Sequence, residues 1–180
     1  MALAARLKLN ETLGDRVMKV DHAGEHGAVC IYGARRWFAR WRAPDMLAEI
    51  DEFLAHERGH RAQFAAELGR RGVRRCRSYL LCGFGGLILG GVTGLAGRGA
   101  ITATTVAIER VVLRHMREQI AELRGVDEEA VRTLSVIIAE EQEHHDLSAV
   151  RLPTVGLWQR VIDPVVSAST EAVIWLGMRL

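Results

Sequence analysis

Apolar residues recur along this chain at the three- and four-residue intervals that line one face of a helix. Ile50, Phe53, Leu54, Phe64 and Leu68 form one such stripe, and Leu134, Ile137 and Ile138 begin another. Val112, Leu113, Met116 and Ile120 form a third, and Ala28, Val29 and Tyr32 a fourth. Punctuation between the stripes predicts six helices. The first spans 15–41, opening at Asp15 after Gly14 and stopping before Pro44, and the second spans 45–69, ending at Gly69 to Gly72. An uncharged stretch, 79–97, is a third candidate. A fourth helix, 100–124, ends at Gly125; a fifth, 127–150, starts after Asp127 and is halted by Pro153; a sixth covers 155–179.

Four of these stripes contain groups foreign to an apolar core. Glu57 and His60 interrupt the second helix's stripe, Glu141 and His144 extend the fifth's, and Glu109 and Glu25 lie in line with the fourth's and the first's. Inward carboxylates need compensation by a cation or a hydrogen-bonding partner. Their spacing is repeated: Glu25 is followed 32 positions later by Glu57-x-x-His60, and Glu109 by Glu141-x-x-His144, so the second set is the first shifted by 84. Seven His and fifteen Glu yield about 0.6 Glu-x-x-His matches from composition alone, so the shared step carries the weight. Residues three apart on a helix project side by side and can hold one ion from a single face. Four carboxylates and two imidazoles without a thiolate suit a pair of ions such as iron or manganese, and the arrangement is that of ferritin-like di-metal bundles.

Other titratable groups nearby break the 84-residue symmetry, among them Asp21, His22, His26, His56, Glu140 and Glu143. These are expected to be solvated or to stand behind the ligands. His145, Asp51 and Asp146 are the candidates for orienting the metal-binding imidazoles.

At 180 residues the chain fits one domain, 15–180, preceded by a short segment, 1–14. A net charge of +2 lacks the basic excess of a nucleic-acid binder. Cys30, Cys76 and Cys82 form no paired framework and read as packing residues of a reducing compartment. No glycine motif for a nucleotide is complete, and the run to Leu9 is too short for a signal peptide.

Residues 79–97 resemble a membrane span in polarity, yet seven of them are Gly, which suits close helix packing equally well. The run Arg70, Arg71, Arg74, Arg75, Arg77 just before it would face lipid headgroups if the segment lay in one leaflet. Two readings stand: a buried crossover helix beside a solvated basic loop, or a peripheral membrane contact. A single span between the second and fourth helices would separate the two halves of the metal site.

The run Asp21-His-Ala-Gly-Glu-His-Gly-Ala, Ile31-Tyr32, Glu57-x-x-His60, the Gly-rich crossover, Thr105-Val-Ala-Ile-Glu109, His115 and Glu140-Glu-Gln-Glu-His-His-Asp146 resembles the demethoxyubiquinone hydroxylase family over nearly the whole chain. The resemblance implies an all-α, ferritin-like four-helix bundle with a di-iron centre, the apolar crossover helix and a C-terminal helix. It implies a monooxygenase of ubiquinone biosynthesis that hydroxylates the ring of a polyprenyl demethoxy-benzoquinone with dioxygen and NADH-derived electrons. Glu25, Glu57, His60, Glu109, Glu141 and His144 correspond to the family's ligands for two iron ions, and Tyr32 and His115 to residues beside the chemistry. By the same resemblance the protein sits peripherally on the cytoplasmic face of a bacterial inner membrane, or on the matrix side of the mitochondrial one. It would work beside a lipid-binding accessory protein. Arg114-His115-Met116 stands where the family usually has His-His-Tyr. A ferritin-like peroxidase or iron-binding protein would share the ligands but not residues 79–97. A non-enzymatic quinone or lipid carrier would explain that segment but not the six ligands.

Overall fold

The computed structural model describes residues 5–152 and 157–180. Its helices are α1 (Leu13–Arg42), α2 (Leu47–Arg71), α3 (Tyr79–Ala96), α4 (Arg98–Leu123), α5 (Glu128–Val150) and α6 (Leu157–Gly177). No strand occurs among the described residues. Pro153, read from the sequence as the stop of the fifth helix, and the predicted start of the sixth at 155 lie outside them.

Local chemistry sets the helix ends. Thr12 starts α1 two residues before the predicted position, because its hydroxyl accepts from Asp15 N at 3.0 Å while Asp15 accepts from Thr12 N at 3.1 Å. Such reciprocal capping satisfies two donors that the first turn leaves free. Gly72 takes φ +64 at the end of α2, a left-handed conformation that glycine adopts without strain. Asp127 caps α5 by accepting from Ala130 N.

α1 packs on α2, and α4 on α5, giving two helical hairpins that α3 connects as a crossover. This is the all-α, ferritin-like bundle expected from the sequence, with α6 laid against α4. The interior has two apolar clusters. One gathers Val17, Met18, Phe64, Leu68, Met116, Leu134 and Ile137; the other gathers Tyr32, Ala39, Met46, Ile50, Phe53 and Ile101. Along α1, α2 and α4, Glu25, Glu57 and Glu109 fall in the interval between the two, so the polar layer is sandwiched by packed hydrocarbon.

α3 lies against α1 at backbone range. A Cβ on Gly86 would stand 2.3 Å from Gly27 O, and one on Gly90 2.3 Å from Ile31 O. Only glycine permits that approach, and the four-residue spacing carries it along one ridge of the helix. The opposite side of α3 exposes Leu80, Phe84, Leu87, Ile88, Val92 and Leu95. Among the described helices, α3 alone is long and apolar enough to cross a membrane, with a mean hydropathy of 1.7, and a third of it is buried.

The basic run preceding α3 divides in two. Arg71 is turned inward, and Arg70, although exposed, is paired. Arg71 pairs with Asp127 at 2.6 Å, Glu67 at 2.6 Å and Asp15 at 3.3 Å, joining the ends of α1, α2 and α5, and Arg70 pairs with Glu67 and Glu129. Arg74, Arg75 and Arg77 are exposed, and Arg75 lies over the Tyr79 ring.

Candidate metal centre

Each helix of the two hairpins brings its part of the site by the spacing read from the sequence. Glu25 comes from α1, Glu57 and His60 from one face of α2, Glu109 from α4, and Glu141 and His144 from one face of α5. All six are buried, none more than 5% exposed. They meet as two overlapping quartets whose donor atoms lie within 4.8 Å of one another: Glu25, Glu57, His60, Glu141 and Glu57, Glu109, Glu141, His144. Glu57 and Glu141 belong to both, so they stand between the two positions.

Four carboxylates enclosed in this way cannot all be charged without cations. Burial, then the charge of Glu141, pushes Glu25 up to about 8. Glu57 and Glu109 are likewise driven well above the carboxylate range by burial and by Glu141. Glu141 alone is held low, its burial outweighed by the His144 and His60 rings that face it. Burial also opposes charge on His60, but Glu141 and Glu25 outweigh it and raise the ring to about 9.

The imidazoles have their Nδ1 atoms inward. His60 Nδ1 lies 2.9 Å from Glu141 Oε1 and 3.9 Å from Glu25 Oε2; His144 Nδ1 lies 3.7 Å from Glu57 Oε1 and 3.8 Å from Glu141 Oε2. Both nitrogens are buried without an aligned hydrogen bond. Orphaned ring nitrogens among converging carboxylate oxygens fit a pair of hard-to-borderline cations.

The groups behind the imidazoles differ from those expected. Asp51 bonds Arg36 at the surface, and His145 bonds Asp146 at 2.9 Å, so none of the three orients a ligand. Glu140 Oε2 instead accepts from His60 Nε2 at 2.9 Å, and His56 Nδ1 shares a hydrogen bond of 2.9 Å with His144 Nε2. His56 and Glu140 are themselves 84 positions apart. A search of the repeat by position rather than by residue type would have found them. His22 and the Asp21 carboxyl, grouped with the solvated or outer residues, are buried. His26 stacks on Tyr79 with ring centroids 4.0 Å apart. The three cysteines are free thiols.

Tyr32 is buried, and its hydroxyl donates to Glu109 Oε1 at 3.4 Å. His115 Nε2 lies 2.8 Å from Glu171 Oε2 on α6. Beside the quartets a cavity of about 470 Å³ is walled by α1, α3, α4 and α6, with Glu25, Glu57, Glu109 and Glu141 among its lining residues. Leu81, Ile88 and Val92 line it while being at least half exposed, so it reaches the apolar face of α3.

Comparison with known proteins agrees with this geometry. Residues 12–177 match the family model described as ubiquinone biosynthesis protein COQ7. A Dictyostelium discoideum protein named NADPH-dependent 3-demethoxyubiquinone 3-hydroxylase, mitochondrial, is 28% identical over 96% of this chain and 80% of its own length. The mouse protein of the same name is 31% identical over 95% and 80%. A Rhodospirillum rubrum protein named 3-demethoxyubiquinol 3-hydroxylase is 31% identical over 92% and 78%. Spanning the bundle from the cap of α1 to the end of α6, the match shows that this chain belongs to the COQ7 family of ubiquinone biosynthesis proteins.

Proposed function

We propose that this chain is a di-iron monooxygenase that hydroxylates the ring of a polyprenyl demethoxy-benzoquinone with dioxygen, in ubiquinone biosynthesis. The observation that carries the reading is the convergence of six buried carboxylate and imidazole groups beside an apolar cavity walled in part by α3. Glu25 and His60 would hold one iron, Glu109 and His144 the other, and Glu57 and Glu141 would bridge both. When bound, the iron pair supplies the reduction of dioxygen and the delivery of one oxygen atom to the ring.

The chain's own residues account for the rest. Burial and the adjacent Glu109 keep the Tyr32 phenol protonated, so it serves Glu109 as a hydrogen-bond donor. His115, tied to Glu171 and lining the cavity, stands where a ring would pass between α4 and α6. Apolar side chains along the cavity exclude water and match a prenyl tail. Electrons come from a reduced nicotinamide: the resemblance read from the sequence implies NADH, and the names of the Dictyostelium and mouse relatives specify NADPH.

Residues 15–180 act as one catalytic domain. It sits peripherally on a membrane, on the cytoplasmic side in a bacterium or the matrix side in a mitochondrion, beside a lipid-binding accessory protein. Support for the membrane comes from the exposed apolar face of α3 flanked by Arg74, Arg75 and Arg77. Cells lacking the chain are expected to accumulate a polyprenyl quinone with one ring oxygen fewer than the next intermediate. Mass spectrometry after growth under labelled dioxygen tests this. Label drawn from water, or normal ubiquinone in the deletion strain, would rule the reaction out.

A further inference from the structure

Three polar atoms in the wall of the cavity have no partner: one each on Asp21 and Gln119, and His115 Nδ1 one turn of α4 before Gln119. Gln119 Nε2 donates to Asp21 Oδ1 at 3.0 Å, yet Asp21 Oδ2 and Gln119 Oε1 are buried without a hydrogen bond. Both residues line the cavity, one turn of α1 before Glu25 and on the facing side of α4. Buried polar atoms left unpaired are costly, and beside a cavity a group that enters it can satisfy them.

The 84-residue repeat shows that a cavity beside such a pair is not forced by the fold. Shifting Asp21 and Gln119 by 84 in opposite directions gives Thr105 and Arg35. Those two are also in contact, with Arg35 Nη1 donating to Thr105 Oγ1 at 2.9 Å. On that flank Arg35 Nε is also bonded, to Thr93 Oγ1 of α3 at 3.2 Å, and although Arg35 Nη2 has no partner, neither Arg35 nor Thr105 lines the cavity. The flank carrying Asp21 and Gln119 opens to a ligand; the other is filled by protein.

We propose that Asp21 and Gln119 form the subsite for the oxygen-bearing ring of the substrate, with Asp21 Oδ2 and Gln119 Oε1 hydrogen-bonded to ring oxygens. This rests on the quinone reading above. A benzoquinone offers acceptors, and its reduced form offers donors as well. The pair matches both: burial pushes the Asp21 carboxyl up to about 7, against the hydrogen bond from Gln119. Its protonated form donates to a carbonyl, its ionised form accepts from a hydroxyl, and Gln119 Oε1 accepts throughout. Val20, Gly24, Val112 and Met116 contribute only apolar surface to this stretch of wall, so Asp21 and Gln119, with His115 one turn along α4, are the polar groups that can fix the ring's orientation there. Asp21 thereby sets which ring carbon faces Glu25 one turn away.

The test uses the full-length, iron-loaded protein and a benzoquinone carrying one isoprenoid unit and labelled with carbon-13 at its carbonyls. Equilibrium dialysis gives affinity, and infrared difference spectra give the carbonyl stretch. Bound to the unmodified protein, the carbonyl band is expected at lower wavenumber than in detergent alone. Asp21→Leu should lose that displacement and bind about tenfold more weakly, the scale of one net hydrogen bond in a buried site. Asp21→Asn, which retains a donor and the shape of the side chain, should keep most of both. Iron content and helical circular dichroism should stay unchanged in all three. An unaltered band and affinity in Asp21→Leu would overturn the subsite while leaving the substrate class intact. Failure of the unmodified protein to bind the quinone would overturn both.

Discussion

His56 Nδ1 lies 2.9 Å from His144 Nε2, an imidazole backing an imidazole, whereas the equivalent position of the other half places the carboxylate of Glu140 on His60. The two halves of the buried cluster are therefore built from the same residue types but supported differently. A carboxylate partner makes an imidazole a stronger donor than a neutral ring does. Glu140→Ala is expected to weaken the position held by His60, and His56→Ala the one held by His144, each by about 10- to 100-fold in metal affinity. Stepwise iron titration followed by Mössbauer spectroscopy resolves the two positions, and identical spectra from both variants would contradict the assignment. The sequence alone set His56 aside as a minor residue; its contact with His144 gives it an effect between those of His60 and the surface His145.

Removing a shared carboxylate should be more severe. Glu57→Ala or Glu141→Ala is expected to lose both irons together, since each belongs to both quartets. His60→Ala or His144→Ala should abolish hydroxylation while helical content survives, because the apolar clusters on either side remain. Full iron and activity in the Glu57 and Glu141 variants would refute the ligand set.

Membrane attachment should respond to Arg74, Arg75 and Arg77 but not through Arg71. Changing the three to Gln is expected to weaken flotation with anionic vesicles by about 1 kcal/mol per residue, an effect that salt diminishes. Arg71→Gln instead removes the ion pairs that join the ends of α1, α2 and α5 and should lower stability by about 3 kcal/mol, as for a buried pair losing one partner. A thermal melt distinguishes the two outcomes.

Glycine at 90 is required for a different reason than glycine at 85. Gly90→Ala would drive a methyl into Ile31 O and is expected to cost about 1–3 kcal/mol by forcing α1 and α3 apart. At Gly85 a Cβ meets nothing within 4 Å, so Gly85→Ala should be neutral or stabilise by about 0.5–1 kcal/mol through helix propensity. Denaturant unfolding of the two variants side by side checks the packing of α3 on α1.

Acid should destabilise the start of α1. Burial raises the pKa of Glu11, but Arg16 at 2.6 Å and Lys19 at 2.8 Å outweigh it and hold the group at about 2, below the ordinary 4.5. Because the folded value is depressed, the stabilisation is full above pH 4.5 and is lost as pH falls toward 2. Glu11→Gln is expected to lower the melting temperature at pH 6 and to matter progressively less between pH 4.5 and 2.

Helix positions and the membership of the two buried quartets were legible in the sequence because both depend on spacing within a helix. A Glu and a His three apart share a face whatever the helix packs against, and the recurrence of Glu25, Glu57 and His60 at 109, 141 and 144 needs no knowledge of crossing angles. The glycines of α3 likewise announced a close approach, though not that Gly27 and Ile31 would be the surfaces approached. Contacts between helices were decided only by the tertiary structure, because they depend on axial register and rotation, which periodicity leaves free. Asp51 and His145 have the right residue types to orient an imidazole but point to solvent, while His56 and Glu140 face the opposite hairpin. Arg71 and Arg74 are three apart in one basic run, yet only the meeting of three helix ends makes the first a structural ion pair. Asp21 and Gln119, 98 residues apart, become neighbours only when α4 folds back over α1, and the cavity they line exists only between packed helices.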